Sequence, residues 1–69
     1  MKYLIELFWS DEDAAYVAVV PDLPGYSAVG STPEKAAREV RDAIDAWLEA
    51  CRAAGETAPE PSAKTRQAA

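Results

Sequence analysis

Apolar and polar residues alternate through the first part of the chain, in two runs separated by a short polar stretch. Residues 3–9 (YLIELFW) and 15–20 (AYVAVV) are rich in aromatic and aliphatic side chains, whereas the intervening SDEDA is polar. Two strand-like runs joined by a short loop predict an antiparallel hairpin. Large apolar side chains fall on both of its faces, with Tyr3, Ile5, Leu7 and Trp9 on one and Leu4, Glu6 and Phe8 on the other.

A dense group of turn residues follows the second run. Pro21 ends the strand, because proline has no N–H to donate to the ladder. Pro24 and Gly25 then predict a type II turn, in which glycine supplies the positive φ. Residues 26–30 (YSAVG) read as a third, short strand. We therefore interpret the segment PDLPG as mainly architectural, since it reverses the chain between two strands.

A helix is predicted from about residue 33 to about residue 54. With Thr32 as N-cap, Pro33 falls at the first helical position, where its missing N–H costs nothing. The alternative is Ser31 as N-cap, with Glu34 completing a capping box; we favour Thr32. Gly55 is placed to end the helix. One apolar stripe at three- and four-residue spacing comprises Ala36, Val40, Ile44, Trp47, Leu48 and Cys51.

The order β-β-β-α predicts an α+β fold, a two-layer sandwich of a three-stranded antiparallel sheet and one amphipathic helix. Residues 1–55 form this domain, and residues 56–69, which lack any aromatic or large aliphatic side chain, form a polar, flexible tail. One helix can cover only one face of the sheet. We therefore expect the second face, or an edge strand, to meet another chain.

Length and cysteine content point to self-association. The core of a 69-residue chain rarely provides more than about 3–5 kcal/mol of folding stability unless a disulfide, a bound metal or self-association adds to it. Cys51 is the single cysteine and histidine is absent, so neither an internal disulfide nor a zinc site can be built. We expect a homo-oligomer, a dimer or a tetramer. The single thiol also suits a reducing setting, so we expect a cytoplasmic protein. We see no signal peptide and no apolar run long enough to cross a bilayer, and therefore expect a soluble protein.

The net charge of −5 lies in the folded body. Glu56 and Glu60 are balanced by Lys64 and Arg66, so residues 56–69 are neutral. Binding to phosphate backbones needs an excess of lysine and arginine, so direct nucleic-acid recognition is disfavoured. An acidic body favours a basic protein partner, although the same charge also serves simple solubility.

Candidate catalytic groups are few. Without histidine, no serine has a base to activate it, and Cys51 lies on the apolar stripe, where a structural role is favoured. Glu6 and Asp22 are the acids that a metal-dependent nuclease would need, but nothing in their spacing forces them together. The acids of the SDEDA loop are best interpreted as a solvated hairpin tip. We assign no catalytic, metal-binding or cofactor-binding residue.

The segment from Tyr16 to the start of the helix carries a continuous motif. The second strand is followed by Pro-Asp-Leu-Pro-Gly, then by a short third strand, and a Gly-x-Thr-x-Glu-x-Ala sequence leads into the helix. The motif residues are Tyr16, Pro21, Asp22, Leu23, Pro24, Gly25, Gly30, Thr32, Pro33, Glu34 and Ala36. This motif closely resembles the HicB antitoxin family, the UPF0150-like domain. The chain departs from longer members in having only a short tail after the helix, so we expect a short solo member without the C-terminal DNA-binding domain.

The resemblance implies a degraded ribonuclease-H-like fold without activity. It also implies an inhibitor that binds a small basic mRNA interferase, HicA, and masks its RNA-binding surface. Trp9 could belong to the core or anchor an interface. The candidate partner-binding residues are Trp9, Asp11, Glu12, Asp13, Asp22 and Leu23, the last two expected at an exposed rim. The other residues of the motif are interpreted as structural.

Two alternatives remain open at this point. The first is an orphan solo domain with another protein or a ligand as partner. The second is a vestigial metal-dependent nuclease. No cofactor, direct nucleic-acid contact or membrane contact is expected.

Overall fold

A computed structural model of the chain describes residues 2–62. Three strands, β1 (Glu6–Ser10), β2 (Ala15–Val19) and β3 (Ser27–Gly30), form an antiparallel sheet in the order β1-β2-β3. One helix, α1 (Pro33–Ala53), follows. The predicted α+β arrangement of three antiparallel strands and one helix is confirmed. Within the described residues, no helix is long and apolar enough to cross a membrane.

The strand register assigns every sheet residue to one of two faces. Ala18 of β2 lies opposite Leu7 and Ala28, and directly opposed residues share a face. Because Ala18 is fully buried against the helix, these residues define the covered face. The other face, which we call the open face, comprises Glu6, Phe8, Ser10, Ala15, Val17, Val19, Ser27 and Val29.

The core lies between the helix and the covered face. Val40 and Ile44 of α1 are completely buried, which confirms the predicted apolar stripe. Cys51 is also buried, in agreement with a structural role. Trp47 is half-buried, and its ring centroid lies 5.6 Å from that of Tyr26. The core residues are Tyr3, Ala18, Val20, Leu23, Ala36, Val40 and Ile44.

Both ends of the helix are closed by local hydrogen bonds. The amide of Lys35 donates to Oγ1 of Thr32 over 3.1 Å, and Pro33 is the first helical residue, so Thr32 and not Ser31 is the N-cap. At the other end, Gly55 has a φ of +72°. The amides of Gly55 and Glu56 donate back to the last turn over 3.1 and 2.8 Å. This pattern is a Schellman motif, which satisfies two otherwise orphaned carbonyls.

The PDLPG segment forms two consecutive turns. The amide of Leu23 donates to the carbonyl of Val20, and that of Tyr26 donates to the carbonyl of Leu23, each over 3.0 Å. Gly25 has a φ of +93°, which a type II turn requires. Between the turns, the side chain of Leu23 points into the core and is only 4% exposed. The expectation that Leu23 lies at an exposed rim is therefore corrected, because the double turn directs it inward.

The segment after the helix contacts residues that precede β1 and follow β2. Residues 56–62 have no regular secondary structure, yet the hydroxyl of Tyr3 donates to the carbonyl of Pro59. The amide and the hydroxyl of Ser62 both donate to the carboxylate of Asp22, each over 2.8 Å. The tail predicted for residues 56–69 is thus described to Ser62 only, and residues 63–69 lie outside the described part of the chain.

Candidate protein-binding surface

Trp9 stands half-exposed at the end of the β1–β2 hairpin. Its ring lies on the covered face, but α1 packs mainly over β2 and β3, so the indole remains 50% exposed. The ring of Tyr16 meets it edge-on, with centroids 5.1 Å apart. The indole Nε1 donates to Oδ1 of Asp11 over 2.8 Å. These two contacts hold a large aromatic side chain at the surface in one orientation.

The loop next to Trp9 is held by its own hydrogen bonds. The hydroxyl of Ser10 donates to the carboxylate of Asp13 over 3.0 Å, and the backbone amide of Asp13 donates to the same hydroxyl oxygen over 3.3 Å. The amide of Ala14 donates to the carbonyl of Asp11 over 3.3 Å. Ala14 adopts a φ of +49°, a left-handed conformation that costs alanine about 1 kcal/mol or more. The carboxylates therefore project from a defined turn.

We call the surface formed by Leu7, Trp9, Asp11, Glu12 and Asp13 the hairpin end. All five side chains are exposed, and none of them is basic. The outer side of α1, in contrast, carries both acids and bases, and there Arg52 pairs with Glu49 over 2.7 Å. The hairpin end thus concentrates uncompensated negative charge around apolar anchors. Leu7, which is 45% exposed, was not among the sequence candidates, although its alternation with Trp9 placed both on one face.

The candidate residues do not form one cluster. Asp11, Glu12 and Asp13 precede β2, whereas Asp22 and Leu23 follow it, so the two groups lie at opposite ends of that strand. Five residues of strand separate them by about 17 Å. Leu23 is buried, and the carboxylate of Asp22 accepts hydrogen bonds from Ser62. The hairpin end is the group that the structure brings together.

Gly30 shows why the family motif is structural at the start of the helix. A Cβ on Gly30 would lie 2.6 Å from the backbone nitrogen of Ala36 and 2.9 Å from Cβ of Lys35. Ala36 is itself completely buried. The first turn of α1 therefore sits directly on the backbone of β3, and a small residue is needed at each position.

The two acids considered for metal chemistry lie on different elements at one end of the sheet, since Glu6 is opposite Val19, the last residue of β2. Glu6 lies on the open face at the start of β1, and Asp22 lies in the turn after β2. Among residues 2–62, no three His, Cys, Asp or Glu side chains are grouped so that they could hold a metal ion. The buried residues in the same range include no charged side chain.

The fold and the hairpin end define a small α+β domain with an exposed, acidic, tryptophan-bearing surface. Residues 3–69 match the family model described as the HicB-like antitoxin of a bacterial toxin-antitoxin system. A UPF0150 protein of Thermoplasma acidophilum is 36% identical over 64 residues, covering 93% of this chain and 91% of that protein. The chain belongs to the HicB-like antitoxin family. No solved structure matches it.

Family membership supports an antitoxin-type role for the chain and suggests that this role is not enzymatic. It also implies a toxin as partner, in general terms.

Proposed function

We propose that this chain is a non-catalytic antitoxin that binds a small, basic, HicA-like mRNA interferase and masks its RNA-binding and active surface. The observation that carries the proposal is the hairpin end, where exposed Trp9 and Leu7 adjoin three carboxylates. Family membership supplies the class of partner.

The chemistry of the hairpin end fits a protein that binds RNA. Such a protein must present lysine and arginine to the phosphates. Asp11, Glu12 and Asp13 offer these cations carboxylates in place of phosphates, so a toxin bound here has its RNA-binding surface occupied. Complementary charge of this kind accelerates encounter and fixes orientation more than it adds affinity.

Trp9 supplies the affinity in this proposal. Large aromatic side chains dominate the binding energy of many interfaces, since they bury a large area with few rotatable bonds. Tyr16 and Asp11 already fix the indole, so little conformational freedom is lost on binding. Leu7 extends the apolar area beside it.

The test uses the protein encoded by the adjacent reading frame, which the proposal requires to be small, basic and histidine-containing, and measures both its binding and its RNA cleavage. Wild-type chain is expected to bind this protein and to stop its cleavage of RNA at equimolar ratio. Trp9→Ala should weaken Kd at least roughly thirty-fold, the consequence of losing about 2 kcal/mol at an aromatic anchor. Glu12→Lys should slow association and reduce its dependence on salt.

Asp45→Lys is the matched control for the charge reversal. Asp45 is exposed on the outer side of α1, far along the chain from the hairpin, and its replacement changes the net charge by the same amount. This variant should bind like wild type. Equal loss in Asp45→Lys and Glu12→Lys would show that only net charge matters, and unchanged binding by Trp9→Ala would remove the hairpin end from the interface.

The same assay tests the two alternatives. The chain alone, incubated with RNA and Mg²⁺ or Mn²⁺, is expected to leave the RNA intact. Metal-dependent cleavage that disappears in Glu6→Gln or Asp22→Asn would instead support a nuclease. Failure to bind the neighbouring basic protein, with a folded wild-type chain, would support an orphan domain with a different partner.

A further inference from the structure

We propose that the free edge of β1 receives an extended, basic segment of the partner protein as a fourth strand of the sheet. The inference rests on the proposed function and deepens it, since it states how the backbone of the partner binds beside the hairpin end. β1 is an edge strand, because the sheet has the order β1-β2-β3. Within residues 2–62, no strand pairs with its outer side.

The hydrogen-bond pattern between β2 and β3 determines which backbone groups of β2 face β1. The amide of Val20 donates to the carbonyl of Tyr26 over 3.3 Å. Hydrogen-bonded and non-hydrogen-bonded pairs alternate along an antiparallel ladder. The register therefore directs the amides and carbonyls of Val17 and Val19 away from β3 and toward β1.

The same alternation directs the backbone groups of Leu7 and Trp9 to the free edge. Val17 lies opposite Phe8, so these two residues exchange hydrogen bonds, and the pairs on either side of them do not. The turn and loop hydrogen bonds of residues 2–62 do not involve Leu7 or Trp9 either. A strand added here would pair with the two residues whose side chains form the apolar part of the hairpin end.

The edge of β1 lacks the common features that prevent strand addition. Natural edge strands are blunted by lysine, proline, a bulge or a covering element. Glu6–Ser10 contains no lysine or proline, and its five residues pair one-to-one with β2, so no bulge interrupts the strand. Because α1 packs mainly over β2 and β3, the helix does not cover this edge.

Charge determines which segment this edge attracts. β1 begins at Glu6 and leads into Asp11, Glu12 and Asp13, whereas Ser27–Gly30, the other edge strand, contains no acid. A segment rich in lysine or arginine is therefore attracted to β1 in preference to β3. A second copy of this chain, with its net charge of −5, is repelled from the same edge.

The register also predicts the sequence pattern of the added segment. Side chains directly opposite Leu7 and Trp9 in an added strand would share their face and lie about 5 Å from them. Apolar residues at alternate positions of the segment would therefore pack beside Leu7 and Trp9, and lysine or arginine near the loop would meet the carboxylates. In this mode of recognition, main-chain hydrogen bonds supply affinity and alternate side chains supply specificity.

Amide hydrogen exchange of the full chain, followed by NMR, tests the proposal with two basic probes. One is the protein encoded by the adjacent reading frame, and the other is a strand-length peptide of alternating lysine and valine. With either probe, the amides of Leu7 and Trp9 should exchange at least roughly tenfold more slowly, since each gains a hydrogen bond. The amides of Ser27 and Val29 at the β3 edge should be unaffected, and a peptide of alternating glutamate and valine should protect neither edge.

Proline substitution tests the backbone contact separately from the side chain. Leu7→Pro removes an amide hydrogen that points outward, so the ladder to β2 is kept. This variant should bind the adjacent-frame protein about tenfold more weakly than Leu7→Ala, which also loses the leucine side chain but keeps the amide. Val29→Pro is the matched change at the β3 edge and should bind like wild type. Far-UV circular dichroism checks the folding of each variant, and the exchange data on the wild type do not depend on them.

The outcomes separate this proposal from the proposed function. Protection of Leu7 and Trp9 by the lysine–valine peptide, with no binding of the adjacent-frame protein, would remove the proposed function and leave the strand-addition site. Binding of that protein without slower exchange at these two amides would overturn strand addition alone. Unchanged exchange with both probes would overturn it too, as would equal protection at Ser27 and Val29. Protection in the chain alone that rises with its concentration would also overturn it, because a second copy would then occupy the edge.

Discussion

Two glycines of the family motif should respond differently to the same substitution, because the structure requires each for a different reason. Gly30 lies under the first turn of α1, where an added Cβ would be 2.6 Å from a backbone nitrogen. Gly25 has open space around it but adopts a φ of +93°. Alanine therefore meets a steric clash at Gly30 and an unfavourable backbone conformation at Gly25.

The magnitudes follow from these two causes. The atoms nearest Gly30 belong to the helix backbone and to Cβ of Lys35, none of which can rotate away, so α1 would have to move off the sheet. Overpacking typically costs about 1–3 kcal/mol, and we expect the upper end of this range for Gly30→Ala. A domain of this size has roughly 3–5 kcal/mol in total, so the variant should be close to unfolding. Gly25→Ala should cost about 1 kcal/mol.

Asparagine distinguishes the two mechanisms further. Asparagine tolerates positive φ better than alanine, so Gly25→Asn should be milder than Gly25→Ala. At Gly30 the larger side chain should be at least as damaging as alanine. Urea and thermal unfolding, followed by far-UV circular dichroism at one protein concentration, measure all four variants. An expected loss of about 2–3 kcal/mol corresponds to a fall in Tm of roughly 10–20 °C for Gly30→Ala.

A Gly30→Ala variant no less stable than Gly25→Ala would contradict the steric cause at Gly30. That result would mean that the helix can shift without loss of packing, so that its close approach to β3 is not a determinant of the fold. Equal effects of alanine and asparagine at Gly25 would likewise contradict a conformational cause there.

Two further predictions concern the core and the segment after the helix. Ile44→Ala should lower the free energy of unfolding by about 2–5 kcal/mol and leave the chain largely unfolded by circular dichroism. Ile44→Val should lower it by about 0.5–1.5 kcal/mol, and Ala46→Gln, on the exposed side of α1, should leave it almost unchanged. Asp22→Ala should lower the free energy of unfolding by about 1 kcal/mol and speed hydrogen exchange at the Ser62 amide. Ser62→Ala keeps the amide donor, so its effect on stability should be smaller. Unchanged exchange at the Ser62 amide in Asp22→Ala would contradict the contact.

The helix and the turns were predictable because their signals are local. Thr32, Pro33 and Gly55 determine where α1 begins and ends through contacts within four residues in sequence. The start of β1 was not predictable in the same way. The pattern indicated a strand from Tyr3, but the ladder begins at Glu6, because its partner strand β2 ends at Val19 before Pro21. Pairing depends on both strands, whereas alternation describes only one.

Residues that depend on distant parts of the chain were less predictable. Leu23 lies in a turn motif, and only the double turn around it directs its side chain into the core. The contact between Asp22 and Ser62 joins residues 40 positions apart, and the polar composition of the C-terminal segment carries no pattern that indicates it. For Trp9, the pattern left both core and interface open, because exposure depends on how far α1 reaches across the sheet.

The position of α1 explains how one short strand can present two different surfaces. Since α1 lies mainly over β2 and β3, β1 is left with exposed apolar side chains on both sides, Leu7 and Trp9 on one and Phe8 on the other. Only the first side adjoins the acidic loop, and only the second continues into the open face, where Phe8, Val17 and Val29 are in direct register. If the proposed function holds, substitution of Leu7 or Trp9 should weaken binding of a basic partner and substitution of Phe8 should not, although the three residues are consecutive in β1.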